Sequence, residues 1–588
     1  MAIGLSTDET RGSVLSRRQK YETVRAALLL ERASFDAHYS ELAEYLMPRR
    51  TRFQVSDRNR GERRSQSIID SDPRFAARTL QSGMHAGLTS PARPWMKLTT
   101  PDPDLAENRD VKKWLHTVTS RMLTVFLRSN LYNALPTLYG DMGTFATGAM
   151  GVLEDDEDLL RAYCFPVGSY ALGLDARGLA TTFTRDREMT VRQLVETFGP
   201  VDGNPRNIDW TRFSHQVKDL WMDGSYETAI EVSWFVCPND TYDASRLESK
   251  HSMKWKSCWF ERGREDKDFS AEGGGFLRES GFRSFPIMVP RWDVTGDDTY
   301  GTDCPGMTAL GDVKQLQLMQ RNKAKAIAKA LDPPLVGSSA LKQQTVSLLP
   351  GKITYDDGRD GQQTLRPIHE VRLEGLQYLT QDMEETRNRI RRAYYADLFL
   401  MLANSDQAQP ITAEEVRARQ EEKLLALGPV LERTNDELLD PLVDRAFSIM
   451  LHAGLVPEPP KALHGVELKV EYLSIMAQAQ KLVGVVGQDR FIQSAMGMAQ
   501  LFPEVRHKVN VFKVIDGYGD MLGVNPGIVR TDEEAQGSLE QEQAAMQRAQ
   551  EATTAKTEAQ AAQALGNTPM DSSQGRTALS AVIDGMGA

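Results

Sequence analysis

The stretch Gly306 to Leu331, GMTALGDVKQLQLMQRNKAKAIAKAL, decides the reading of this chain, and Pro333-Pro334 ends it. It carries strong helix formers and no internal proline, so it reads as one long helix. At 100° per residue, Lys314, Arg321, Lys325 and Lys329 fall in a stripe about 80° wide. Leu316, Met319, Ala326, Ile327 and Ala330 lie on the opposite side, with Lys323 the exception among them. A helix ordinarily buries its apolar side and solvates the other, which accounts for the stripe plainly. The sharper reading sets the basic stripe against a polyanion or the acidic face of another subunit.

Beyond the prolines, Leu335 to Val371 carries β and turn signals, with Lys352 to Tyr355 followed by Asp357-Gly358 and Asp360-Gly361. A second helix, Arg372 to about Tyr395, then returns, so the unit reads as a helical hairpin with a small β tip. Asp397 to Pro410 follows, apolar first and polar later, without a regular period. Thr412 with Glu415 fits a capping box opening a long helix with Leu424, Leu427, Leu431, Leu438 and Leu442 on its apolar face. Pro429 and Pro441 are expected to kink or break it. Val466 to Tyr472 alternates as a strand, Ile475 to about Val529 reads as short helices, and Thr531 to Leu565 is helical by propensity with little to bury. Gly566 to Ala588 reads as a mobile tail.

On the N-terminal side, Gln19 to Leu46, a helix opened by Asp72-Pro73, Val111 to Ser129 and the Gly-interrupted Leu131 to Gly148 are helical. Short alternating strands occupy Val152 to Val294, among them Leu160 to Phe165, Ala180 to Arg185, Glu227 to Val236 and Lys254 to Phe260, with one helix at Thr190 to Phe198. The fold class is therefore α+β, mostly helical and multi-domain.

Composition narrows the function. The 588 residues are 40% apolar and 26% charged, enough for about four structural units. With 70 basic and 81 acidic residues the net charge is −11, which disfavours non-specific adhesion to nucleic acid. No apolar run approaches the ~20 residues of a membrane span, and Met1 to Arg18 lacks a signal-peptide core, so assembly in a cytoplasm with no membrane partner is expected. Cys164, Cys237, Cys258 and Cys304 show no metal spacing and read as reduced packing thiols. No phosphate loop, zinc motif or nucleophile elbow occurs, so neither catalysis nor a cofactor is indicated. The acidic run Glu154-Asp155-Asp156-Glu157-Asp158 reads as a solvated hairpin turn, with a divalent-cation site as the less favoured alternative. Arg49, Arg50, Arg52, Arg58, Arg60, Arg63 and Arg64 form the densest basic cluster, offset only by Asp57 and Glu62. Without interleaved aromatic residues, inter-subunit pairing is favoured over a nucleic-acid platform.

Several stretches taken in order resemble the portal, or head-to-tail connector, proteins of short-tailed bacteriophages. YLMPRR (Tyr45 to Arg50), Ile68 to Asp70 and SGMHAGLTSPARPWMKL (Ser82 to Leu98) look like the N-terminal signature. ITAEEVR (Ile411 to Arg417), LGPVL (Leu427 to Leu431), ELLDPLVDRAF (Glu437 to Phe447) and VEYLSIMAQAQ (Val470 to Gln480) look like the C-terminal half. The resemblance implies a ring, usually of twelve subunits, around a channel at one capsid vertex, through which double-stranded DNA is packaged and later ejected. It implies a wing at residues 1–302 and 412–472, stem helices at 303–334 and 372–396, and a clip at 335–371. A channel loop would occupy 397–411, a crown 473–530, a helical barrel 531–565 and a mobile tail 566–588. Lys314, Arg321, Lys325 and Lys329 would face the channel or a neighbouring stem, and Asn404, Ser405, Asp406 and Gln407 would tip the channel loop. Expected partners are the terminase packaging motor, a tail adaptor, major capsid and scaffolding proteins, and internal ejection proteins. The alternatives are a capsid or tail protein without a channel, or a metal-dependent nucleic-acid enzyme using Glu154 to Asp158.

Overall fold

The structure is a computed structural model. It describes residues 17–57, 59, 61–102, 105, 108–201, 204–242, 252–265, 268–269, 275–333, 335–337, 365–367, 374–403, 427–473, 514 and 532–566. The chain divides into two compact units, Met1–Gly484 and Val485–Ala588.

The first unit opens with four helices: α1 (Arg17–Tyr45), α2 (Asp72–Leu88), α3 (Arg109–Arg128) and α4 (Leu131–Phe145). Pro73 sits in the first turn of α2, where its missing N–H costs nothing. Asn108 caps α3 by accepting from the amides of Asp110 and Val111. The Gly-interrupted stretch does pack closely: a Cβ at Gly143 would fall 2.5 Å from the Leu80 side chain, so the glycine lets α4 approach α2. The helix stops at Phe145, short of Gly148, where Ala146 turns left-handed at φ 60°.

The β region follows in the expected order. Strand β1 (Met96–Thr99) lies between α2 and α3, and β2 (Met150–Asp155) and β3 (Leu159–Cys164) form a hairpin with β11 (Ile287–Met288) at its other edge. A five-stranded antiparallel sheet has the order β10-β9-β8-β5-β4, from β4 (Tyr170–Leu174), β5 (Ala180–Thr190), β8 (Ala229–Pro238), β9 (Trp255–Glu261) and β10 (Arg278–Phe282). Between β5 and β8 lie α5 (Val191–Phe198), closed by a complete Thr190–Gln193 capping box, the small pair β6 (Pro200–Val201) and β7 (Asn204–Ile208), and α6 (His215–Met222). Phe165, Phe183, Trp234 and Trp259 form a chain of ring contacts, tilted from Phe165 to Phe183, edge-on from Phe183 to Trp234 and stacked from Trp234 to Trp259.

Helix α7 (Pro305–Leu331) and helix α8 (Glu374–Ala393) pack on each other, and the residues nearest their distal ends, β12 (Leu335–Gly337) and β13 (Leu365–Pro367), pair antiparallel. The hairpin with a β-paired tip is thus present. Helix α9 (Ala396–Ala403) then packs on α2. This differs from the irregular reading of Asp397 to Pro410. Leu398 and Phe399 are buried and complete a helical apolar face that was too short to show a period.

Residues 427–434 are helical, Asn435–Leu439 form a π-helical segment, and α10 (Asp440–His452) continues from it. Pro441 thus sits in the first turn of α10, directly after the π-helical segment that interrupts the α-helix, where a kink or break is expected. The amide of Asp440 bonds back to Asn435, and this wider turn absorbs the missing proline donor. Strand β14 (Lys469–Tyr472) pairs antiparallel with β1, Met96 opposite Tyr472 and Thr99 opposite Lys469. Trp114 Nε1 donates to the Pro457 carbonyl, and Leu427, Leu438, Leu442 and Ile449 join the same core as Leu42, Leu80, Leu115 and Leu138. The body is thus closed by two pieces far apart in sequence. In the second unit, α11 (Asp532–Gly566) is one 35-residue helix, exposed along almost all of its described length.

Candidate functional site

The hairpin of α7 and α8 is rooted at one end only. On α7, Pro305, Gly306, Ala309, Leu310, Val313, Leu316 and Gln317 are buried, and all lie in its first half. On α8, Met383 and Ile390 are buried, nearer its end. The distal half leaves large apolar side chains in solvent: Leu318 is 56% exposed, Leu331 82% and Tyr378 77%. Ile327, expected on the hidden side, is 39% exposed, so α8 covers that side incompletely.

A polar latch fixes the root. Gln317 Oε1 accepts from the amides of Ile69 and Asp70 at 2.7 and 2.8 Å, and its Nε2 donates to the Asp70 carbonyl at 2.9 Å. Three of the four arginines of α8 are spent on acids of the same chain. Arg387 donates to Asp70 and Glu384, Arg391 to Asp72 and Glu384, and Arg389 to Asp312. The hydrogen bond from Arg387 holds the Glu384 carboxyl below its ordinary value. Sequence reasoning missed these partners. Arg387, Arg389 and Arg391 follow a spacing of two, which a helical-face reading does not single out, and Asp70 and Asp72 belong to a turn more than 300 residues away.

The predicted basic stripe divides. Lys314 is engaged by Glu41 of α1, which raises its pKa. Arg321, Lys325 and Lys329 are exposed and have no acidic partner among the described residues. They span eight residues of one helix, about 12 Å at 1.5 Å per residue. Asn404, Ser405, Asp406 and Gln407 lie outside the described residues, as do Thr412 and Glu415.

The arginine cluster also divides. Arg50 makes a two-pronged pair with buried Asp141 at 2.7 and 2.5 Å. Burial pushes the Asp141 carboxyl up, against the pull of the Arg50 guanidinium. Arg50 is therefore a core ion pair of its own chain, which corrects its reading as an inter-subunit contact. Arg64 pairs with Asp57, seven residues away, and Arg49 donates to the Glu62 carbonyl, so both serve their own loop. Arg63 is exposed, Arg52 lines a cavity, and Arg58 and Arg60 lie outside the described residues.

The run Glu154 to Asp158 covers the end of β2 and the β2–β3 turn, with Asp155 and Asp158 near Arg161, and no cluster of metal-ligating side chains occurs among the described residues. Burial pushes the thiols of Cys164, Cys237, Cys258 and Cys304 up to about 12, so they stay protonated and pack as small apolar groups. No helix of the described residues is long and apolar enough to cross a membrane.

Comparison with known proteins agrees with this arrangement. The family described as bacteriophage head to tail connecting protein matches residues 18–529. The portal protein of Salmonella phage epsilon15 is 44% identical over 554 residues, covering 94% of this chain and 96% of that one. A probable portal protein of Bordetella phage BPP-1 is 41% identical over 502 residues, covering 85% and 87%. A chain of the virion of a native gene transfer agent particle aligns at a TM-score of 0.28 with 10% identity, too distant to carry a fold assignment. With a match over most of its length and two relatives above 40% identity, the chain belongs to the bacteriophage head-to-tail connecting proteins, structural portal proteins of the capsid vertex and not enzymes.

Proposed function

We propose that copies of this chain close into a ring, of twelve by family expectation, around a channel for double-stranded DNA. The half-exposed hairpin is the single observation that carries this reading. Leu318, Ile327, Leu331 and Tyr378 form apolar surface that one subunit leaves in water, and side-by-side packing of hairpins would bury it. The hairpin is then the stem and the residues around its β12–β13 pair are the clip. The body closed by β1 and β14 is the wing, residues 473–530 the crown, and α11 one stave of a barrel.

Electrostatics suits a conduit. At −11 each, twelve copies would carry about −130 charges, and a channel of the same sign as DNA keeps bound states shallow. Residues 531–588 hold nine acids and three bases, so a barrel there repels DNA. Arg321, Lys325 and Lys329 would add stacked rings of limited attraction facing the channel or the neighbouring stem. The clip would dock first the terminase motor and later the tail adaptor, with capsid, scaffolding and ejection proteins at the outer surfaces. The polar tip Asn404 to Gln407 would narrow the channel. Negative-stain imaging of the purified chain tests the reading: closed rings with a central pore are expected, and a chain that stays monomeric at micromolar concentration refutes it.

A further inference from the structure

A cavity of about 410 Å³ opens between α1, the loop at Arg52 to Val55, and β5. Its charge is unbalanced. Arg25 and Arg262 are matched by Asp186, and Arg32 by Asp36 and the carbonyls of Gly168 and Tyr170. Glu188 is the one further carboxylate of the lining, against Arg52, Arg185 and Arg187, and among the described residues no ion pair joins any of these three arginines to an acid. The Nε atoms of Arg52 and Arg185 are buried without a hydrogen-bond partner. Phe165 and Trp259 hold the Arg185 and Arg187 guanidinium planes from one side, leaving their N–H edges for a ligand. Burial beside other arginines draws the Arg185 pKa down to about 10, as expected where a counter-anion is missing. The cradle is tight: Gly168 has φ +86°, and a Cβ there would lie 2.8 Å from the Arg52 carbonyl and 2.7 Å from the Phe53 ring.

A buried guanidinium costs several kcal/mol unless an anion completes it. A ring built head to tail also needs two different, complementary patches on one chain. The described surface offers a partner of opposite charge, the β2–β3 turn. Asp156 and Glu157 stand exposed at its tip, and the Arg161 contacts reach only Asp155 and Asp158. We propose that the arginine cavity of one subunit receives the acidic β2–β3 turn of a second copy, its carboxylates bridging Arg52, Arg185 and Arg187. The inference rests on the ring reading and names the contact that closes the ring.

Charge exchange tests it on the full chain. Arg52→Glu with Arg185→Glu, and separately Asp156→Lys with Glu157→Lys, should each lower ring yield at least tenfold in mass photometry. An equimolar mixture of the two should restore rings, because every junction is then again between opposite charges. Two variants that each form rings as well as the unaltered chain overturn the proposal. So does a mixture of folded variants, shown by circular dichroism, that stays unassembled. Should the reversals not fold, Gln54→Cys combined with Asp156→Cys in otherwise unaltered subunits gives the second test. Mild oxidation should link neighbouring subunits only when both cysteines are present, and intact rings without that link overturn the contact while leaving the ring standing. An unaltered chain that forms no rings refutes the ring reading itself, and this contact with it.

Discussion

At the scale of single residues, buried ion pairs decide where this chain is vulnerable. Asp141 is fully buried on α4, and both its oxygens accept from Arg50. Asp141→Asn leaves a guanidinium without its counter-charge, and breaking such a pair costs about 3–5 kcal/mol. A lower urea midpoint is expected. The double replacement Arg50→Met with Asp141→Leu should lose much less, because no charge is then stranded. Asp186 predicts a pH dependence of known sign. Burial works to raise its pKa, but Arg25, Ser233 and Arg262 outweigh it and hold the carboxyl below its ordinary 3.8. Its contribution is present above the unfolded value and is lost as pH falls through the depressed folded value. Asp186→Asn should therefore be less stable at neutral pH and lose stability less steeply below about pH 4, read from melting temperatures across an acid series.

At the scale of elements, the stem depends on how its root is fastened. Gln317→Ala removes three hydrogen bonds and leaves the buried amide and carbonyl of Asp70, and the partly buried amide of Ile69, without that partner. At about 1–3 kcal/mol per orphaned buried group, the root should lose several kcal/mol, and amide exchange at 69 and 70 should accelerate. The stripe on α7 behaves differently. Lys314→Gln breaks only an exposed pair with Glu41, where solvent screening leaves little stability to lose. Replacing Arg321, Lys325 and Lys329 together by Gln should leave ring yield unchanged while altering genome retention in filled heads, counted by nuclease sensitivity. If assembly fails instead, the three belong to the contact between stems.

At the scale of the whole molecule, the two units carry different burdens. The body has a core running from Tyr39 to Leu463 and is expected to fold by itself, whereas α11 exposes nearly its whole described length. An isolated helix gains little from propensity alone, so its order would come from neighbouring copies. Truncation after Arg530 should preserve rings and the body's melting temperature while removing helical circular dichroism. The missing phosphate loop and the portal family together lead to one more expectation: purified rings should show no ATP hydrolysis, measured as phosphate release.

The amino-acid sequence by itself determined most elements, because local physics governs them. The period of α1, the proline opening α2, the capping box of α5 and the alternation of β5 and β8 each act within a few residues. It also carried the hairpin, the acidic β2–β3 turn and the ordered motifs of the family. It missed α6 and α9, each eight residues long, too short for a period to emerge. It placed an interruption at Pro441 but not its form, a π-helical segment, because how a chain absorbs a proline depends on the packing that holds both sides. Only the tertiary structure decided which charges are available. Arg50 and Arg52 are two residues apart in one basic run, yet one is sealed against Asp141 and the other lines an unbalanced cavity. Lys314 and Arg321 share a helical face, yet only the first meets an acid of α1. A charge's role is set by what lies within a few ångströms, and in this chain those partners come from 91 residues away for Arg50 and 273 for Lys314.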